Sequence, residues 1–250
     1  MISEKEFASG FPGFWSECLP FLTPQLVAEF NVKRTVVFDN SRVALKPLDS
    51  AGDNSQNDFV AETAFELFAT AVKKGKEVLV LAEDQKLLGD IASNSTARLL
   101  GLRVYWTSIK RKFPKNPTEE AIALATRIET FFARDIESGQ IIIQPPFKGC
   151  GILNSCFGDV LASRSLCELK TVDRNLRSTD IRQVLIYCAL NYKSRQYDIG
   201  TVTILNPRRA VRFTFKVEAL VARVSRRTST EAFHQITDFL SDFELMHQMS

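Results

Sequence analysis

Two short apolar segments that carry charged residues restrict the fold of this chain more than any other feature. Phe157–Ala162 and Leu166–Val172 have the composition of strands and are joined by a tight polar turn, which is the pattern of a hairpin. Asp159 lies in the first segment, and Glu168 and Lys170 lie in the second. A charge in an apolar sheet costs free energy unless it is compensated. We therefore expect these three side chains to share one environment.

The alternation of side chains along a strand predicts which of these charges meet. Because successive side chains point to opposite faces, Glu168 and Lys170 lie on the same face of their strand. If the two strands pair as a hairpin, Asp159 faces them from the neighbouring strand. Two carboxylates and one ammonium group would then converge in a small volume.

The elements on both sides of the hairpin predict the fold class. They are a helix at Thr118–Glu137, a strand at Gln140–Gln144, a helix capped by Ser178 or Thr179 that runs to about Tyr192, and strands at Ile199–Leu205 and Val211–Phe215. The order helix, three strands, helix, strand predicts an α/β fold with a mixed β-sheet flanked by helices.

The rest of the chain is predicted to be mostly helical. Helices are expected at Asp58–Lys73, Leu87–Leu100, Val217–Val224 and Ser229–Phe243, with a short buried strand at Val78–Leu81. The polar segment Ser50–Asn57 is typical of a loop or linker. We therefore divide the chain into an N-terminal elaboration, residues 1–56, and a main domain, residues 57–250, with its core at about 118–216.

The distribution of charge indicates a polyanionic partner or, equally well, a solvated basic surface. Between Arg164 and Arg227 there are 14 Lys or Arg and 5 Asp or Glu, a net charge of +9, whereas the whole chain carries only +3. No apolar run approaches the roughly 20 residues that a membrane helix needs. The start of the sequence does not resemble a secretory signal. The expectation is a cytoplasmic protein without a membrane span.

The cysteines and histidines do not predict a zinc or histidine-based catalytic site. The five cysteines are Cys18, Cys150, Cys156, Cys167 and Cys188. They do not form paired CxxC motifs, so they are expected to be small residues in or near the core. The two histidines, His234 and His247, lie near the end of the sequence and are expected to be ordinary helix residues.

Two carboxylates beside a lysine are the residue types that phosphodiester hydrolysis requires. The reaction needs a nucleophile made from water and stabilisation of charge on the attacked phosphate. Asp159 and Glu168 could hold one or two Mg²⁺ ions that serve both purposes. Lys170 could orient the water, help to deprotonate it and offset developing charge.

The same residues resemble the motif of the PD-(D/E)XK nuclease superfamily, specifically its RecB-like branch. Gly158-Asp159 is followed by Glu168-Leu169-Lys170 and then by Gln183-Val184-Leu185-Ile186-Tyr187, which matches the QxxxY helix motif of that branch. Gln183 and Tyr187 are four residues apart and share a helix face. The resemblance covers roughly residues 140–215. It implies a restriction-endonuclease-like sheet, to which residues 1–56 are an addition.

The resemblance also implies roles for these residues. Asp159 and Glu168 would bind the metal, Mg²⁺ or Mn²⁺, with the Leu169 carbonyl as a further ligand. Lys170 would be the catalytic lysine. Gln183 and Tyr187 would support the active site and help to position DNA.

Members of the family often add an acid from an earlier helix. Glu62 is the candidate, and Glu129 is the rival because its helix directly precedes the first core strand. Either could instead be an ordinary solvated helix residue.

Three features limit the match. Gly158 stands where the superfamily has proline, as is common in the RecB-like branch. The cysteines lack the arrangement that holds an iron–sulfur cluster in some members. A second acid-x-lysine triplet, Asp84-Gln85-Lys86, is predicted to be a surface loop or a helix start, because no Gln-x-x-x-Tyr helix follows it. The alternative for Lys170 is a buried salt bridge in a sheet without catalytic activity.

Five arginines are candidates for contact with a phosphate backbone. They are Arg174, Arg177 and Arg182, after the catalytic strand and on the next helix, and Arg208 and Arg209 beside Pro207. Contacts of this kind give affinity without reading sequence. A solvated turn is the alternative for the last two.

These observations predict a metal-dependent deoxyribonuclease. Small RecB-like nucleases often serve in prokaryotic defence or restriction systems, so a defence effector that acts beside a partner protein is expected. A nuclease of DNA repair or recombination, and a nucleic-acid-binding scaffold without activity, are the alternatives. The sequence leaves open whether the chain forms a homo-oligomer.

Overall fold

The protein has an α/β architecture in which helices pack on both faces of a mixed sheet. The computed structural model describes residues 1–37, 43–48, 57–102 and 117–248. Its helices are α1 (Glu4–Ser9), α2 (Pro12–Cys18), α3 (Pro24–Val32), α4 (Asn57–Lys74), α5 (Val78–Ala82), α6 (Gln85–Leu102), α7 (Pro117–Glu137), α8 (Ser178–Ser194), α9 (Val217–Ser225) and α10 (Ser229–Gln248). Its strands are β1 (Thr35–Val36), β2 (Ile141–Ile143), β3 (Pro146–Phe147), β4 (Cys156–Phe157), β5 (Val160–Ala162), β6 (Ser165–Leu169), β7 (Thr201–Asn206) and β8 (Val211–Lys216).

The main sheet has the strand order β1-β8-β7-β6-β5-β2. β6 and β7 are parallel, whereas the other neighbouring pairs are antiparallel. α8 provides the long crossover that two parallel neighbours require. The mixed sheet flanked by helices, predicted from the order of the elements, is therefore confirmed.

The two faces of the sheet are covered by different helices. Leu161 and Leu166 belong to a hydrophobic core that includes residues of α1–α3 and α8–α10. Val160 and Cys167, the alternate residues of the same strands, belong to a second core built with α4–α7. The N-terminal helices thus share their core with α8, although the sequence separates them from it by more than 140 residues.

Most of the predicted elements are present. The helices expected at Asp58–Lys73, Leu87–Leu100 and Thr118–Glu137 are α4, α6 and α7, and the helices and strands after residue 178 also form. The five cysteines are buried free thiols, as expected of core residues. Of the predicted loop Ser50–Asn57, Asn57 begins α4, and residues 50–56 lie outside the described residues.

Two predictions of strands are corrected. Val78–Leu81 is helix α5 rather than a strand, because Val78 and Leu81 are buried while Leu79 and Val80 are 56% and 49% exposed, a spacing of one helical turn. The predicted strand Phe157–Ala162 is divided. Its first residue pairs with β3 in a separate two-stranded sheet, and the last three form β5.

The start of α8 also differs from its prediction. The residue at its N-cap is Arg177, and neither Ser178 nor Thr179 occupies that position. The Asp180 carboxylate accepts the backbone N–H of Arg177 at 2.9 Å, which satisfies a donor at the helix start. Among the described residues, no helix combines the length and the apolar composition needed to span a bilayer.

A buried ion pair joins α7 to the turn between β7 and β8. Arg208 is only 1% exposed, and its guanidinium is paired with the carboxylate of Glu120. The Arg208 Nε also donates to the carbonyl of Thr171 at 3.4 Å. Removing one member of a buried pair leaves a charge in the core and is strongly destabilising.

We predict that Arg208→Met lowers the free energy of unfolding by about 3 kcal/mol or more, because it removes the cation that faces a buried carboxylate. The neighbouring Arg209→Met is the matched control and should cost less than about 1 kcal/mol, because this side chain is only half-buried. Urea unfolding followed by circular dichroism measures both values. Equal losses in the two variants would contradict the role given to the ion pair.

Candidate active site

The β5–β6 hairpin places Asp159 and Glu168 side by side. Val160 is paired with Cys167, so the next position outward brings Asp159 opposite Glu168. Both residues have the same parity as Leu161 and Leu166 and therefore face the helix layer that contains α8. The Oδ2 of Asp159 accepts the backbone N–H of Leu169 at 2.6 Å. The hairpin predicted from the sequence is confirmed here.

Lys170 follows the last residue of β6 and joins the two acids on the same face. Its backbone N–H donates to the Leu205 carbonyl at 2.8 Å, which keeps this residue bound to β7 beyond the end of the strand. Its Nζ lies 2.9 Å from Glu168 Oε1 and 2.7 Å from Gln183 Oε1. The side chains of Lys170 and Glu168 are only 16% and 5% exposed.

α8 supports this arrangement through a short hydrogen-bond chain. Gln183 accepts from Lys170, and its Nε2 donates to the hydroxyl of Tyr187 at 2.9 Å. The ring of Tyr187 is 1% exposed and stacks on Phe147, with 5.3 Å between ring centroids. The expectation that Gln183 and Tyr187 share a helix face directed at the acid–lysine group is therefore met by the geometry.

The electrostatic environment of the site is that of two acids held close together with one cation. Burial, together with the negative charge of Glu168, raises the pKa of Asp159 to about 8. Burial lowers the pKa of Lys170, but the attraction of Glu168 and its hydrogen bond outweigh this effect, so the pKa of Lys170 is raised. Burial and the nearby Glu168 also raise the pKa of the Tyr187 hydroxyl.

One carboxylate oxygen in this group is buried without a hydrogen-bond partner among the residues that the structure describes. Glu168 Oε1 accepts from Lys170, whereas Oε2 is buried and finds no donor among the described residues. A buried oxygen without a donor is expensive, and a hard cation would satisfy it. The donor set of Asp159, Glu168 and the Leu169 carbonyl contains only oxygen, which suits Mg²⁺ or Mn²⁺.

No group of three or more His, Cys, Asp or Glu residues in the described ranges is arranged to hold a metal ion. An ion at Asp159 and Glu168 would therefore complete its coordination with a backbone carbonyl and water. Mg²⁺ commonly uses one or two carboxylates and retains several waters, so a site with two acids is sufficient for it.

The two earlier acids proposed from the sequence lie elsewhere. Glu62 is on α4 and Glu129 is on α7, and both helices pack on the face of the sheet opposite the Asp159–Glu168 pair. Glu129 Oε1 accepts the backbone N–H of Val78 at 2.8 Å and so fixes the start of α5. Neither glutamate joins the site.

Glu4 is the acid near the site that sequence reasoning missed. It is half-buried at the start of α1, and its Oε1 lies 3.5 Å from Nε2 of Gln183. The N-terminus reaches this place because Ile2 exchanges backbone hydrogen bonds with Ile152 and Asn154, at 2.8 and 3.0 Å. No local pattern in the sequence indicates this long-range contact.

The five candidate arginines have different environments. Arg174 forms a two-point pair with Asp180, at 2.7 and 2.8 Å, and is half-buried. Arg177 is exposed. Arg182 lies over the Trp15 ring, 5.5 Å from its centroid, and donates to the Ala8 carbonyl at 3.2 Å.

Of the two arginines beside Pro207, Arg208 does not contribute to the predicted surface track. Arg208 is buried against Glu120, so it is not accessible to a phosphate group, and its predicted role is corrected. Arg209 is half-buried, and its NH1 donates to Asn175 Oδ1 at 2.6 Å.

The second acid-x-lysine triplet, Asp84-Gln85-Lys86, lies at the start of α6, far from the candidate site in sequence. Asp84 Oδ1 accepts the backbone N–H of Leu87 there at 3.0 Å. The prediction of a loop or helix start is confirmed for this triplet.

Comparisons of the chain with protein-family models, curated proteins and solved structures give no match.

We predict that at pH 9, above the pKa of about 8 of Asp159, the change Asp159→Asn stabilises the protein in EDTA by about 1 kcal/mol, because it removes one of two like charges that face each other across the hairpin. The asparagine oxygen can still accept the Leu169 N–H. Urea unfolding of wild type and variant measures the difference. The exposed Asp173→Asn is the control and should change stability by no more than about 0.5 kcal/mol. A destabilised Asp159→Asn variant would show that the two carboxylates do not repel each other.

Proposed function

We propose that this protein is a metal-dependent nuclease that hydrolyses DNA phosphodiester bonds at the group formed by Asp159, Glu168 and Lys170. One observation carries the proposal. Two carboxylates and a lysine from adjoining strands meet on one face, and one oxygen of Glu168 is buried without a donor among the described residues. A buried salt bridge in an inactive sheet would need only one carboxylate for Lys170.

The residues of the site would have different roles in hydrolysis. Asp159, Glu168 and the Leu169 carbonyl would hold Mg²⁺ or Mn²⁺, which when bound stabilises charge on the phosphate and provides a nucleophile from water. The Lys170 ammonium, fixed by Glu168 and Gln183, can donate to the attacking water or to a phosphate oxygen. Because two acceptors hold Nζ in place, little reorganisation is needed when negative charge develops.

The arrangement of α8 supports the proposed membership of the RecB-like branch of the PD-(D/E)XK superfamily. The spacing Gln183-x-x-x-Tyr187 resembles the branch motif, and the contact of Gln183 with Lys170 gives the motif a physical function. Gln183 and Tyr187 act through Lys170 as positioning residues. DNA is proposed as the substrate because the resemblance implies it and because the segment from Arg164 to Arg227 has a net charge of +9.

We predict that purified protein cleaves DNA in Mg²⁺ or Mn²⁺ and that Asp159→Ala, Glu168→Gln and Lys170→Met each reduce the rate by about 100-fold or more. Each change removes a metal ligand or the cation beside the reacting phosphate. Cleavage of a fluorescent oligonucleotide in a discontinuous gel assay measures the rate.

The second acid-x-lysine triplet offers matched controls for this experiment. Asp84→Asn and Lys86→Met make comparable changes at exposed positions at the start of α6 and should retain wild-type cleavage. Equal activity in the wild type and all three site variants would identify a contaminating nuclease and contradict the proposal.

Metal binding has a readout that does not depend on cleavage. We predict that Mg²⁺ raises the melting temperature of the wild type above its value in EDTA, because a ligand that binds only the folded state stabilises it. For a chain of this size, each kcal/mol of added stability corresponds to about 2–4 °C.

Differential scanning fluorimetry with and without Mg²⁺ measures this shift. Glu168→Gln should lose it, whereas the exposed Asp173→Asn should keep it. A shift of the same size in all three proteins would place the metal at another site.

A further inference from the structure

A groove lies between the N-terminal helix α3 and the first turn of α8. It encloses about 820 Å³, and apolar residues, including Val27, Val32 and Leu176, form much of its surface. Three arginines, Arg34, Arg177 and Arg182, also line it. No Asp or Glu of the described residues contributes to its lining. The groove therefore combines an apolar surface with a positively charged lining.

The two sides of the groove are joined by a pair of reciprocal hydrogen bonds. Asn31 Nδ2 donates to the Leu176 carbonyl at 3.1 Å, and Asn31 Oδ1 accepts the Leu176 N–H at 2.9 Å. These contacts fix α3 against the segment that leads into α8. The shape of the groove thus depends on the folded N-terminal region and exists before any ligand binds.

The arginines retain donors for a ligand. A guanidinium has five N–H groups. Arg34 is exposed and uses one of them on the Asn31 carbonyl at 2.9 Å. Arg177 is exposed as well. Arg182 is half-buried, and its NH1 donates to the Ala8 carbonyl, so it contributes positive charge to the lining.

The groove and the candidate active site share helix α8. Arg182, at its edge, is adjacent in sequence to Gln183, which binds Lys170. At a rise of about 1.5 Å per residue, the start of α8 at Ser178 is about 7.5 Å along the helix axis from Gln183. The groove and the candidate active site therefore both involve residues in the N-terminal part of α8.

We infer that this groove binds single-stranded nucleic acid. The arginines match the phosphates of a strand, whose binding releases counterions. The apolar surface matches the faces of unpaired bases and their sugars, which a duplex keeps in its interior. The inference rests on the proposed function and adds to it the form of the substrate and the contribution of the N-terminal region.

The experiment measures binding without hydrolysis. Fluorescence anisotropy in EDTA compares a labelled single-stranded oligodeoxynucleotide with the duplex of the same sequence. The wild type should bind the single strand more tightly than the duplex. The double variant Arg34→Glu, Arg177→Glu should bind the single strand at least about tenfold more weakly, because two charge-assisted contacts are lost.

Two comparisons show whether the effect is local. The double variant Lys74→Glu, Lys76→Glu makes the same reversal of two charges at exposed positions at and beyond the end of α4, on the other face of the sheet, and should leave binding nearly unchanged. The neutral pair Arg34→Gln, Arg177→Gln avoids new repulsion. It should lower the slope of log affinity against log salt by about 0.7 per lost phosphate contact. Circular dichroism melting verifies that the variants are folded.

The outcomes separate this inference from the proposed function. Tighter binding of the duplex, no binding of the single strand, or wild-type affinity in the Arg34 and Arg177 variants would each overturn the inference, even if the protein cleaves DNA. Single-strand binding that depends on Arg34 and Arg177 would support the role of the groove even if the purified protein did not cleave DNA, or cleaved it equally well without Asp159 and Glu168.

Discussion

The contact between Lys170 and Glu168 is the interaction on which the organisation of the site depends. It brings an ammonium and a carboxylate, both largely removed from water, to 2.9 Å. Such a pair is stable only if its remaining donors and acceptors are satisfied. Gln183 satisfies one of them from α8, and the second oxygen of Glu168 stays without a donor among the described residues. The sheet, the crossover helix and the candidate cation site are therefore linked through one buried group.

The N-terminal region is part of the environment of this group. α1 brings Glu4 near Gln183, and α3 forms one side of the arginine-lined groove. Trp15 lies under Arg182, and its indole N–H donates to the Phe7 carbonyl at 2.9 Å. The sequence predicts a boundary after residue 56, between these helices and the main domain. In the folded protein they lie in one core with α8.

Strong local patterns predicted much of the fold and the central residues of the candidate site. The alternation of side chains in β5 and β6 predicted that Asp159, Glu168 and Lys170 lie together. Strand geometry repeats every two residues, and the two strands of a hairpin are joined by a short turn, so both relations can be read from a few consecutive residues. The helical spacing of Gln183 and Tyr187 was equally informative. Short apolar runs were less so. Val78–Leu81 fits either a strand or a buried helical turn, and only packing against α7 decides between them.

The sequence by itself determined which residues share a strand or helix face, because those relations follow from backbone periodicity over a few residues. Only the tertiary structure decided which distant segments meet them. It placed Arg208 in the core against Glu120, directed Glu62 and Glu129 to the opposite face, and brought Glu4 and Arg34 to the side of α8. These positions depend on how whole helices pack, and the free energy of that packing is distributed over many weak contacts that no short pattern records.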